Sequence, residues 1–333
     1  MAMTLERSQV GKREWLSDYI TITDAKEKPL LAMIKKGESV VNTLHRWQVD
    51  AYESPATGGI VDGADISDSD YENAAANRKE VSVYCQKSRR SAKVSEMAED
   101  ISRIAGASEG EFARSIRKKL EELGRDIEAT ICSDNETAAD NGTLANKTRG
   151  LGKWILNSAQ ATLPVDSAFR TPATSLDATA MASLTEALFK DVLKSVFEQR
   201  GRAQDLALLC GTDLKKTITG FTQFASGTNA YSSVKTYNQQ AKDRSIISNV
   251  TVYEGDFNRV TIHPSLLLGS GTANAASRRG YLLDMSMLEL NWNKHPQVSK
   301  LPDLDGGPRA VVKAIYALTV KNPLGLGKFN ATS

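Results

Sequence analysis

The chain has 333 residues, of which 41% are hydrophobic and 25% charged, with a formal net charge of +2. That balance is globular, allows two domains or one elaborated domain, and lies too near neutral for a global nucleic-acid or anionic-membrane footprint. No run approaches the roughly 20 apolar residues of a membrane helix, and residues 1–12 are polar, without a signal-peptide core. Cys85, Cys132 and Cys210 are dispersed in apolar surroundings, which fits buried thiols made in a reducing cytoplasm rather than a disulfide framework or a zinc knuckle.

Residues 1–42 read as an extended arm with one short helical piece. Trp15, Tyr19 and Ile20 are large apolar groups in a polar setting, and residues 29–34 form one apolar turn stopped by Gly37. An arm without its own core must borrow one, so the arm is expected on a neighbouring copy, the alternative being a helix docked on its own domain.

Residues 43–50 alternate as a strand, with Leu44, Arg46 and Gln48 on one face and Thr43, His45, Trp47 and Val49 on the other. Residues 79–94 read as a second strand, with Val81, Val83 and Cys85 in alternation. Between them, residues 51–77 carry Glu53, Asp62, Asp65, Asp68, Asp70 and Glu72 and not one Lys or Arg. The segment is rich in Gly, Ala and Ser with almost no apolar bulk, and no two-residue turn signal closes it. A loop this long is functional or disordered, and it cannot pack by itself. Counting Asp50 the stretch holds seven acids, and the next sixteen residues hold six bases (Arg78, Lys79, Lys87, Arg89, Arg90, Lys93) against Glu80 alone. Opposite charge blocks side by side favour contacts between copies; the plainer reading is a solvated loop followed by a solvated strand.

The strongest helix signal starts at Ser108, where Ser108 and Glu111 make a capping box. Phe112, Ile116, Leu120, Leu123, Ile127 and Ile131 then recur at spacings of 4, 4, 3, 4 and 4. Arg114, Arg117, Lys118, Glu121, Glu122 and Arg125 occupy the other faces, where charges four apart can pair. Over residues 108–135 this helix would span about 40 Å. Gly124 inside it marks a bend or a close approach.

Residues 134–178 are loop-rich. A second helix is expected over 183–200 with Gly201 as its cap. A buried-type strand over 205–210 turns into a short helix over 214–219, and strands follow at 250–253, 259–263, 281–284, 288–292 and 309–321. Strands dominate the second half and helices lie between them, so the class is α+β.

The chemistry of common enzymes is missing. His45, His263 and His295 are far apart, and no metalloprotease, hydrolase, P-loop or dinucleotide signature is present. The carboxylates of Asp303 and Asp305 sit in a Pro/Gly loop, where solvated turn residues are the norm. No cofactor and no metal site are expected; a site assembled only by folding remains the enzyme alternative.

The order of parts resembles the major capsid protein of tailed bacteriophages, with the Hong Kong 97-type fold, in the branch typified by the podovirus SU-ten major head protein. Residues 43–52 and 78–93 carry the resemblance as an extended loop, 108–135 as a spine helix, 204–219 as a strand and helix of an axial domain, and 281–323 as the return to a peripheral domain. The resemblance implies an arm (1–42), an extended hairpin loop (43–94), a peripheral domain (95–178), an axial domain (179–280) and a peripheral return (281–333). It implies hexamers and pentamers in an icosahedral shell around double-stranded DNA, assembled in a bacterial cytoplasm, with a separate scaffolding protein, a portal and a decoration protein as further partners, DNA touched only weakly, and no membrane. By the same analogy Trp47, Glu53, Asp62, Asp65, Asp68, Asp70, Arg89, Arg90, Arg114, Arg117 and Lys118 are expected at contacts between subunits. With no lysine in residues 51–77, a covalent cross-link from the loop is not expected. A shell of the encapsulin kind, enclosing cargo instead of DNA, is the second reading.

Overall fold

The computed structural model describes residues 27–67, 71, 73, 75–101, 110–201, 205–221, 236–237, 246–247, 250–268, 277–303 and 306–330. The first elements are α1 (Pro29–Met33), β1 (Lys35–Lys36), β2 (Leu44–Val49), β3 (Lys79–Tyr84), β4 (Gln86–Lys93), α2 (Glu96–Ile101) and α3 (Glu111–Ile131). Next come α4 (Leu151–Trp154), β5 (Leu176–Asp177), α5 (Glu186–Arg200), β6 (Asp205–Cys210) and α6 (Thr212–Phe221). The chain continues with β7 (Thr236–Tyr237), β8 (Ile246–Ile247), β9 (Val252–Glu254), β10 (Arg259–Pro264), β11 (Arg279–Leu283), β12 (Leu288–Leu301), β13 (Arg309–Val320) and β14 (Gly327–Asn330). The fold is α+β.

Packing divides the described chain into two units. The smaller holds residues 89–123 and 296–313; the larger holds 27–88, 124–295 and 314–330. The divisions fall inside β4, α3, β12 and β13, so four regular elements run from one unit into the other.

The core of the larger unit is a six-stranded sheet in the order β5-β14-β11-β6-β10-β9. β6 lies at its centre, parallel to β10 and antiparallel to β11, and five of its six residues are buried. A strand covered on both faces reads as a continuous apolar run, which is what Leu206 to Cys210 provide. Helix α5 lies against this sheet through Phe189, Val192, Leu193 and Val196. Its first turn is capped by the Thr185 hydroxyl, which accepts from Leu188 N, and Gly201 closes it. Phe189 stacks on Phe329 with centroids 5.1 Å apart and meets the edge of Tyr253 at 5.2 Å.

Two sequence expectations change here. The strand expected over 79–94 breaks at Cys85: β3 pairs with β2, whereas β4 joins the sheet β1-β12-β13-β4. Cys85, at the break, is buried, and that burial pushes its thiol up to about 11. The strand expected to stop at Trp292 continues through His295 and Pro296 to Leu301; its outer half is exposed, so no hydrophobic alternation announces it.

α3 starts at Glu111, and the expected Ser108 cap lies outside the described residues. The Glu99 carboxylate accepts from Phe112 N at 2.9 Å and satisfies one of the open donors of the first turn. Glu111 pairs with Arg114 at 3.3 Å. Along the apolar stripe Phe112 and Ile116 are half-buried and Leu120 is 40% exposed, while Leu123, Ile127 and Ile131 are fully buried. Gly124 marks a close approach: a Cβ there would lie 3.2 Å from Lys28 Cδ. One turn later the buried Glu128 carboxylate accepts from Leu30 N at 2.9 Å and Leu31 N at 2.8 Å. Residues 29–34 therefore dock on their own chain, against the expectation of a neighbour's surface, because α1 offers N–H donors and Leu30 to a seat that α3 already provides. The rest of the expected arm, residues 1–26, lies outside the described residues.

Candidate assembly surfaces

The hairpin β2–β3 runs from the pair Leu44 with Tyr84 to the pair Val49 with Lys79. Its base is fixed from within the chain. The Trp47 ring lies 5.4 Å from His45 and 5.7 Å from Trp154, and its indole N–H donates to Lys321 O at 3.2 Å. Trp47, expected at a contact between subunits, is thus half-buried and engaged in its own chain. Two exposed ion pairs, Arg46 with Glu80 at 2.9 Å and Arg78 with Asp50 at 3.2 Å, tie the strands where the loop begins.

Beyond Val49 the character changes. Every residue from 50 to 67 is exposed. Glu53, Asp62 and Asp65 face solvent, while Asp68 and Asp70 lie outside the described residues. A turn closed by Ala64 N donating to Val61 O reverses the loop, with Gly63 at φ 82°, the left-handed position such a turn gives to glycine. The loop is less poor in apolar bulk than its composition suggests. Tyr52, Ile60 and Val61 are 103%, 90% and 80% exposed, and Ile66 and Tyr71 are also open. Single exposed apolar residues are ordinary; here five fall within residues 52–71.

The basic residues expected opposite the loop fall on two elements. Arg89 and Arg90 are exposed on β4. Arg117 and Lys118 are exposed on α3, where Arg114 is half-buried against Glu111. Lys119, on the same helix, pairs with Glu122 at 2.7 Å.

Three buried polar locks had no signal in the sequence. Arg149, fully buried, bonds Glu136 at 2.8 Å, donates to the carbonyls of Thr162 and Leu163, and lies 4.7 Å from the Trp154 ring centre. Burial lowers its pKa, and Glu136 opposes that shift. Asp134 bridges Arg279 at 2.6 Å and Lys328 at 3.2 Å. Arg200 at the end of α5 pairs with the buried Asp284. The Asp134 and Asp284 locks join residues far apart in the chain, whereas Arg149 gathers residues 136 to 163.

A groove of about 610 Å³ is lined among others by His45, Trp47, Glu289, Asn291 and Thr319. His45 Nε2 lies 3.2 Å from Asn291 Nδ2; burial lowers its pKa, with Glu38 and Glu289 pulling the other way. Among the described residues no hydrogen bond joins a histidine to a Ser or Cys, and no group of three or more His, Cys, Asp or Glu could hold a metal ion. All three thiols are buried. No described helix is long and apolar enough to cross a membrane.

The whole described chain has known structural counterparts. A chain of the cyanophage A-1(L) capsid asymmetric unit superposes with a TM-score of 0.62 at 12% identity, covering 98% of each chain. A chain from Mycobacterium phage Bobi gives 0.61 at 10% identity, again over 98% of each chain. The capsid of a native GTA particle gives 0.59 at 11% identity, over 98% of this chain and 97% of that one. At such identities the likeness speaks for the fold, which is that of the Hong Kong 97-type shell subunits. No curated protein sequence matches the chain. A family model described as SU10 major capsid protein matches residues 3–333. The chain belongs to the SU10 major capsid protein family, and it is a structural capsid protein of a tailed phage.

Proposed function

We propose that the protein assembles as hexamers and pentamers into an icosahedral head enclosing double-stranded DNA, and that residues 50–77 act as a clamp on an adjacent subunit. The carrying observation is the loop itself: it is acidic, lysine-free and exposed over residues 50–67, with Tyr52, Ile60 and Val61 uncovered. Such a segment gains nothing by projecting into water. Laid on a neighbour it buries apolar area worth roughly 25 cal/mol per Å² and brings carboxylates to bases on β4 or α3. Interfaces that bury about 1,200–2,000 Å² each, repeated around every subunit, sum to a stable particle.

In this reading residues 1–42 are the arm, 43–94 the extended loop, 108–135 the spine helix, 95–178 and 281–333 the peripheral domain and 179–280 the axial domain. Assembly takes place in the bacterial cytoplasm with a separate scaffolding protein, a portal and a decoration protein. The net charge of +2 supports a lining that touches DNA only weakly.

Deletion of residues 58–72 tests the clamp. The expected result is a folded, soluble subunit that no longer forms particles by size-exclusion chromatography and electron microscopy. Shells of normal size with undiminished salt tolerance would overturn it. Nuclease-protected DNA in particles purified from virions is the expected content; a protein cargo instead would favour the encapsulin reading.

A further inference from the structure

We propose that the clamp docks by strand addition: residues 52–56 of one copy extend the sheet β1-β12-β13-β4 of a second copy along the outer edge of β4. The inference rests on the clamp reading and names the surface that receives it.

The receiving edge is open among the described strands, since β4 is the last strand in its order and pairs only with β13. Lateral backbone groups alternate along a strand. Just past β4, Val94 N donates to Pro308 O at 3.2 Å, toward β13. Carried back by twos, the N–H and C=O groups of Ala92 and Arg90 also turn to β13, and those of Arg89, Ser91 and Lys93 turn outward. These three residues are exposed, and among the described residues no carboxylate pairs with Arg89 or Lys93. Open edges of this kind recruit strands unless something blocks them.

The donor is built to match. Residues 52–60 make no hydrogen bond to any described residue, so the whole segment carries unpaired backbone donors and acceptors. Pro55 has no N–H and is tolerated in a strand only where that position faces away from the partner. With Pro55 facing outward, Tyr52, Ser54 and Ala56 face β4. Directly opposed residues in a sheet share a face, so the exposed Tyr52 ring falls on the face of Arg89 and Lys93, where a cation–π contact is available. Pro55 then blunts the new edge and stops further addition. The acids beyond it, Asp62 and Asp65, supply the complementary charge.

Ser91→Pro removes one outward N–H at a position where a free edge tolerates proline, so the unassembled subunit should keep its melting midpoint while particle yield falls at least tenfold; Ser91→Ala should assemble as the parent does. A second measurement does not depend on proline. Mixed copies carrying Ser54→Cys or Ser91→Cys should form intermolecular disulfides in oxidised particles, whereas Glu53→Cys with Ser91→Cys, on opposite faces, should not. If Ser91→Pro assembles normally, or particles form without the 54–91 cross-link, strand addition at β4 is wrong. Should the 58–72 deletion block shells while Ser91→Pro does not, the clamp stands and only its docking site is refuted. Particles of normal yield that lose DNA when Arg89 and Lys93 are changed to Glu would assign this edge to the genome and overturn the proposal.

Discussion

Strand β6 and the loop that follows β2 are opposites within one chain. β6 puts Leu206 to Cys210 at the centre of a six-stranded sheet, bonded to β10 on one side and β11 on the other and covered by apolar side chains from α5 and α6. The loop puts Tyr52, Ile60 and Val61 into solvent and bonds its backbone to almost nothing. The first region is complete in a single subunit; in the proposed reading the second is completed by another molecule. On that proposal subunit stability and assembly rest on different residues, and a variant loses one while keeping the other.

That separation can be broken or sharpened, beginning where the effect on the subunit is greatest. Phe189→Ala removes a fully buried ring that touches three others; it should cost the subunit about 3–5 kcal/mol in urea unfolding and lose shells only as a consequence. Arg149→Met strands Glu136 and two carbonyls. A loss of about 3 kcal/mol is expected, and no loss at all would mean that this lock contributes only order. Glu128→Ala orphans the N–H groups of Leu30 and Leu31, at about 1–3 kcal/mol. Its signature should be local, as faster hydrogen exchange over residues 29–34.

Smaller still is the effect of pH at the hairpin base. Burial lowers the His45 pKa in the folded chain below its ordinary 6.5, so the unfolded chain takes the proton first. The stability that neutral His45 contributes is present above 6.5 and is lost as the pH falls from 6.5 through the lower folded value. Unfolding midpoints measured from pH 7.5 downward should show this acid loss in the parent and less of it in His45→Gln. Last, Ile60→Ser with Val61→Ser should change subunit stability by no more than about 0.5 kcal/mol while lowering particle yield. A large fall in subunit stability would mean that the loop packs on its own body, and the contrast with β6 would fail.

Much of this contrast was legible before any coordinates. The 3.6-residue period of α3, the Gly201 stop of α5, the apolar run of β6 and the alternation of β13 are local patterns, and each became the element expected. The break at Cys85 was not read from the sequence, although the alternation of Val81, Val83 and Cys85 gives way there to the polar residues 86–91 and resumes in the opposite phase at Ala92. Nor was the extension of β12, since its outer residues are polar on both faces. The ring partners of Trp47, Trp154 and His45, were not legible either, because the residues that meet there lie far apart in the chain or carry no local mark of the contact.

By itself the sequence determined the elements, the α+β class and the lysine-free acidic segment, because hydrophobic period, capping residues and charge blocks act over a few residues. Only the tertiary structure decided that Glu128 holds α1, that Arg149 gathers residues 136 to 163, and that β4 ends its sheet. Those outcomes depend on burial, which couples groups distant in the chain and which no local pattern encodes.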